Sequence, residues 1–256
     1  MRPVSLSRQG RPTGNSVTSL RALWSTAGGC VPLGTRQRIR RTLRPIRLGV
    51  LRNTTPISDR GWGRGTPIDR VYIESFLERQ AHDVRGRVLE VKDSAYTLRF
   101  GTGVSSSDVL DIDAGNPRAT LIGDLSQPLG LPADTFDCLI ITQTLQYVSD
   151  VPAAIRALHR LLRPRGVALV TVPTIAQLDL GLPVADRWRM TPAGCLEQFA
   201  SVFGSKNTTV EVRGNVLAAI AFLSGLAAEE LRESDLQVAS QAFPMIVAIR
   251  AQKAAS

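Results

Sequence analysis

Two nearly continuous apolar runs, Phe136-Asp-Cys-Leu-Ile-Ile141 and Val167-Ala-Leu-Val-Thr-Val172, most constrain how this chain can fold. Neither alternates as a half-exposed strand would, so both read as short strands buried on both faces. The segment between them, about Val151 to Leu162, reads as a helix capped by Ser149 or Asp150 and stopped by Pro164 and Gly166. Strand, helix and strand in that order fit neighbouring parallel strands of one α/β sheet.

Three further strands precede this unit. Arg87-Val-Leu-Glu-Val91 is apolar and carries an acid near its end. In open α/β sheets ligands bind beyond the carboxyl ends of the strands, which places a binding loop at Val91, Lys92, Asp93 and Ser94. Such a loop usually carries glycines that let the backbone approach the ligand, but here those positions are Lys92, Ser94 and Tyr96. Val109 to Asp113 reads as the second strand, ending in an acid 23 residues after Glu90. That spacing suits a carboxylate accepting two ribose hydroxyls, with Asp113 the first candidate and Asp111 the second. Asp113 also reads as a turn starter before Ala114-Gly-Asn-Pro117. Ala119 to Gly123 is the third strand, followed by Asp124, suited to an adenine amine, and Leu125, suited to the ring face. Thr142, Gln143 and Thr144 close the strand from Phe136 and face the same cleft. The crossover from the first strand to the second, with Gly101 and Gly103 inside it, has room for only a short helix.

Charge divides the chain unevenly. Of its 31 Lys and Arg residues, the 11 before Asp59 are all arginines with no acid among them, leaving 20 bases and 22 acids in the rest. The net charge of +9 therefore sits in an N-terminal arm, residues 1–44, and ordered structure is expected from Pro45 through residue 256. The arm reads as a disordered basic extension. It also has the composition of an organelle transit peptide, of a translated extension upstream of the true start, or of an anchor for an anionic membrane surface. No aromatic residues are interleaved in its densest part, 36–47, so nucleic acid is not an expected partner. Cys30, Cys138 and Cys195 lack the spacing of a disulfide framework or a zinc site, and no metal is expected. No apolar run reaches the roughly 20 residues of a membrane span, so a cytoplasmic location is expected, with organelle targeting or peripheral membrane contact through the arm as the alternative.

Thr66-Pro-Ile-Asp69 reads as a helix start, with a helix running to about Ala81 whose apolar face includes Tyr72. Arg70 and Glu74 fall on its flank, either as solvated charges or as a lid over the cleft. His82 and His159 are poorly sited for a base. Beyond the fifth strand, Asp186-Arg-Trp-Arg-Met-Thr-Pro192 reads as a helix start capped by Thr191, or as an acceptor-binding segment in which Asp186 is a base and Trp188 an apolar wall. The pattern then gives a helix to Phe203, a strand at Thr209 to Val212, a helical stretch from Asn215 to Leu231, and a closing strand from Ala242 to Ala251.

Residues 131 to 173, with Leu-Pro and Phe-Asp leading into the fourth strand and Leu162-Arg-Pro-Arg-Gly166 before the fifth, resemble the central block of class I S-adenosylmethionine-dependent methyltransferases. With Val88-Leu-Glu-Val91, Asp113 and Asp124, the resemblance covers about residues 60 to 175. Arg64-Gly-Thr-Pro-Ile-Asp-Arg70, the turn from Tyr96 to Gly101, and the segment at Asp186 further resemble a bacterial subgroup of the type 11 methyltransferases associated with glycosyltransferases. The resemblance implies a Rossmann-like sheet, mostly parallel with an antiparallel last strand, and helices on both faces. It implies S-adenosylmethionine as cofactor, with Glu90, Val91, Lys92, Asp93 and Ser94 near its amino acid, Asp113 on its ribose, Asp124 and Leu125 at its adenine, and Thr142 and Gln143 along its methionine. Asp186 would be the catalytic base, and Trp188 and Tyr72 would contact a small-molecule or glycan-related acceptor. The usual Glu-x-Gly-x-Gly-x-Gly is departed from at Lys92, Ser94 and Tyr96, so an inactive methyltransferase-like binding domain is the alternative. A nicotinamide-dependent reductase fits less well, for want of a G-x-G-x-x-G fingerprint.

Overall fold

The computed structural model describes residues 32–43, 54–181 and 184–255. The chain divides into two units, Met1–Ile46 and Arg47–Ser256. The first contributes one described helix, α1 (Leu33–Leu43); most of the expected basic arm lies outside the described residues.

The second unit is built on seven strands: β1 (Gly86–Val91), β2 (Val104–Asp111), β3 (Leu121–Ile122), β4 (Phe136–Thr142), β5 (Leu162–Pro173), β6 (Thr208–Arg213) and β7 (Ile246–Gln252). Their order in the sheet is β3-β2-β1-β4-β5-β7-β6. Strands β1 to β5 run parallel, and β7 lies antiparallel between β5 and β6. Strand order reverses between β1 and β4, which opens a crevice beyond their carboxyl ends.

The absence of alternation in β4 has the expected cause. Leu139 and Ile141 join the core cluster with Ile155, Leu158 and Phe199, while Cys138 and Ile140 point to the other face, and all four are fully buried. Ile155 and Leu158 belong to α4 (Val151–Leu161), capped by Asp150, whose side chain accepts from the Ala153 N–H at 2.8 Å. Phe199 belongs to α5 (Pro192–Phe203), capped by Thr191 as the sequence suggests. The second face is covered by α2 (Ile68–Arg79), which buries Ile68, Tyr72, Ile73, Phe76 and Leu77 and packs against β7, α3 (Ala95–Phe100) and α6 (Val216–Leu223). A last short helix, α7 (Glu233–Gln237), precedes β7.

Four expectations are corrected. Thr66 does not cap α2, because its hydroxyl and N–H both bond the Glu229 carboxylate and Pro67 occupies the cap position. The second strand starts earlier and ends at Asp111 rather than Asp113, and the third is only two residues long. The apolar stretch from Asn215 leaves the helix after Leu223, where Gly225 takes φ +78°. A Cβ at Gly225 would lie 2.2 Å from the Ser58 carbonyl oxygen, so the close approach of residues 54–65 requires glycine there.

Truncating Leu139 should test how far the fold rests on the β4 core. Leu139→Ala is expected to lower unfolding free energy by about 3 kcal/mol in urea titrations followed by circular dichroism.

Candidate functional site at the carboxyl ends of β1, β2 and β4

Glu90 is 3% exposed and its carboxylate turns back into the protein. One oxygen accepts the Tyr96 N–H at 3.1 Å; the other accepts the Thr97 N–H and hydroxyl, each at 2.8 Å. Burial holds its carboxyl above the usual range, against the pull of these bonds. Glu90 thus fixes the start of α3 from inside. Val91 packs partly against the core, Asp93 accepts the Ala95 N–H at 2.9 Å, and Ser94 precedes α3 without a side-chain cap bond.

Lys92 is exposed and adopts φ +75°, the left-handed region that glycine occupies without cost. The loop therefore keeps a glycine's conformation without the glycine. Its N–H donates to the Leu110 carbonyl at 2.9 Å, and its own carbonyl accepts from Asn116 Nδ2 at 2.8 Å. Asn116 Nδ2 also donates to Asp111 at 2.7 Å, tying the loop after β1 to the end of β2.

Asp111, the second candidate on sequence, is the strand-end acid. Asp113 lies beyond it, exposed, with its carboxylate accepting the Gly115 N–H at 2.8 Å, so its turn-starting role is the one observed. Ile112, between them, is 53% exposed. Asp124 stands after β3 and accepts the Ser126 N–H at 2.7 Å. Leu125 is turned into the core cluster beside Leu131 and Phe136, which corrects its expected place on a ring face.

The register pairs Glu90 with Ile140, so Thr142 is level with Lys92. Gln143 follows at φ +48°, with its N–H bonded to the Thr171 carbonyl at 2.8 Å. Across the loop, Arg70 of α2 donates to the Tyr96 hydroxyl at 2.6 Å, so the helix flank reaches the cleft.

Asp186 has neither the freedom nor the basicity expected of it. Arg189 donates to both its oxygens at 2.5 and 2.9 Å, and the Asp179 N–H adds a third bond at 3.1 Å. The Arg189 pairing holds its carboxyl below the usual range, which makes it a weak base. Asp186 instead braces a clasp in which Arg60 pairs with Asp179 at 2.9 Å and Gln177 donates to Asp59 at 2.9 Å. Trp188 is partly exposed, and its indole N–H donates to the Val148 carbonyl at 2.8 Å. It lines a pocket of about 460 Å³ with Ser149, Asp150, Pro152, Thr191 and Gln198. Tyr72 is buried under α2 rather than in the cleft; burial pushes its phenol up to about 12, and the charge acting on it is Arg213 of β6.

Neither described cysteine has the exposure of a nucleophile. Cys138 and Cys195 are buried, with both thiols pushed up by burial, that of Cys195 to about 12. His159 lies edge-on to Phe203 at 5.0 Å, and burial lowers its affinity for a proton. Among the described residues no cluster of His, Cys, Asp or Glu could hold a metal ion, and no helix is long and apolar enough to cross a membrane.

Residues 80–170, from the approach to β1 through most of β5, match the family model described as a methyltransferase domain. Over this segment the chain is similar to methyltransferase domains. The zebrafish mitochondrial protein named arginine-hydroxylase NDUFAF5 is 28% identical over 125 residues. That similarity covers 46% of this chain and 39% of the relative's length. The structure of an S-adenosylmethionine-dependent methyltransferase from Mesorhizobium loti is 17% identical, with a TM-score of 0.47, over 73% of this chain and 100% of that one. One from Archaeoglobus fulgidus is 15% identical, with a TM-score of 0.49, over 72% and 94%.

Two variants separate the roles of this site's residues. Lys92→Gly should raise stability by about 0.5–1 kcal/mol in urea unfolding, because relief of the left-handed backbone outweighs the added unfolded-state entropy. Asp186→Asn should lower the melting temperature near neutral pH. A lowered carboxyl pKa contributes fully above the ordinary value of about 3.9 and is lost as pH falls through the depressed one, so the two melting curves should draw together as the pH is lowered through that range.

Proposed function

We propose that this methyltransferase domain binds S-adenosylmethionine in the crevice between β1, β2 and β4 and transfers its methyl group to a small-molecule or carbohydrate-related acceptor. The observation that carries the reading is the join between the two strand ends: Lys92 in a glycine's conformation and Asp111, bridged by Asn116. The donor set fits the ligand. Each oxygen of Asp111 accepts one protein hydrogen bond, from Asp113 N–H and from Asn116, and each keeps a lone pair for a ribose hydroxyl. Exposed Ile112 offers an apolar surface to the nucleobase, with Asp124 as the acceptor for its amine. Thr142 and Gln143 border the methionine side.

The cofactor supplies a methyl group on a sulfonium, reactive enough for direct displacement. The protein's contribution is alignment and exclusion of water, and no covalent side chain is needed. Asp186 enters as a brace of the loop that borders the acceptor, and Trp188, its indole anchored to Val148, as a flat wall for a sugar face. The exposed Lys92 favours a second reading, a domain that binds through the same cleft without transferring a methyl group. The relative named an arginine hydroxylase also shows that similarity over this segment is compatible with a different named activity.

Calorimetry with S-adenosylhomocysteine tests the first reading. Binding by the wild-type protein is expected, and Asp111→Ala should weaken it by about tenfold or more through loss of charge-assisted bonds to the ribose. No binding by protein with a normal circular dichroism spectrum would sink it. Methyl transfer to a panel of sugars and small alcohols, read from S-adenosylhomocysteine release, separates enzyme from binding domain.

A further inference from the structure

We propose that Arg70 is the specificity-determining cation of this cleft, taking the carboxylate at the amino-acid end of the cofactor. The inference rests on the cofactor reading above and assigns a role that sequence left between a solvated charge and a lid.

Arg70 is held in a fixed plane. Its guanidinium lies 5.4 Å from the Trp62 ring centre and 5.5 Å from that of Tyr96, and Nη1 donates to the Tyr96 hydroxyl at 2.6 Å. A guanidinium has five N–H donors, so this bond leaves a fork of the geometry that suits a carboxylate. No carboxylate of the protein takes that fork among the described residues. Neighbouring Asp69 accepts the Arg70 backbone N–H, and Glu74 pairs with Arg99 at 2.7 Å. The contrast with Arg87, Arg189 and Arg250, each paired to an Asp at 2.7 Å or less, is direct.

A side-chain cation complements a loop whose own acids already occupy several of its amides. Where a loop amide would meet an incoming carboxylate, the Tyr96 and Thr97 N–H groups are already taken by Glu90, and that of Ala95 by Asp93. Lys92 is tied through Asn116 to Asp111, at the ribose end of the loop. Arg70 stands at the other end, against Tyr96. A ligand lying from Asp111 to Arg70 would place its sugar at one end and its amino acid at the other.

The test compares two ligands by calorimetry on the full chain. S-Adenosylhomocysteine carries the amino-acid group, whereas 5′-methylthioadenosine keeps the adenine, ribose and sulfur but lacks it. Arg70→Met should weaken the first about 10- to 100-fold, as expected for charged hydrogen bonds, and leave the second within about twofold. Arg70→Lys, which keeps the charge but loses the fork, should fall between. Equal losses for both ligands would overturn the assignment in favour of a structural role, as would unchanged affinity for S-adenosylhomocysteine in either variant. If wild-type protein bound neither ligand, the cofactor reading would fall and this assignment with it; binding of both by wild type isolates the question to Arg70.

Discussion

The carboxylate of Glu90, buried near the end of β1 and bonded by two backbone amides and a hydroxyl of α3, fixes the geometry on which the cleft depends. A buried carboxylate is stable only when such donors surround it, and the donors in turn have no other partner of that charge. Strand and helix are thereby locked at one angle. With the turn between them held, Lys92 takes its left-handed conformation and presents its carbonyl to Asn116, which links the ends of β1 and β2. The strain at Lys92 persists because the bonds on either side of it leave the backbone no alternative.

A second set of interactions shapes the rim. Residues 54–65 and 174–191 are joined by Asp59 with Gln177 and by Arg60 with Asp179, while Asp186 and Arg189 stiffen the longer segment internally. These are polar contacts between irregular segments, so they hold the rim in place without filling a core. The same pairing removes Asp186 from the chemistry. A carboxylate with three hydrogen bonds and a depressed pKa is a good brace and a poor base.

A lysine where a strand-end binding loop usually has glycine need not disable a site. The backbone conformation at that position has been kept, and the side chain points out to solvent. In the loop the N–H groups of Ala95, Tyr96 and Thr97 are taken by Asp93 and Glu90, and the Arg70 guanidinium beside Tyr96 offers further charged donors. Fold and chemistry remain separate questions in this architecture, because a strand-order crevice accommodates different reactions with the same scaffold.

The sequence by itself determined the sheet and the place of the cleft. The nearly continuous apolar runs of β4 and β5 required cover on both faces, the cap at Thr191 was readable where it stands and that of α4 to within one residue, and the acid near the end of β1 marked the crevice. Which acid ends β2 was not readable, because Asp111 and Asp113 lie two apart on the same face of an extended chain and hydrophobic pattern does not distinguish them; backbone pairing with Ile122 does. Leu125 and Tyr72 likewise went to the core because burial of an apolar side chain outweighed any demand of the cleft. The tertiary structure alone decided the partners of the charges. Arg189 claims Asp186 from three residues away, but Arg70 meets Tyr96 across 26 residues of chain, and such pairings follow from which elements pack together, a property that no local pattern encodes.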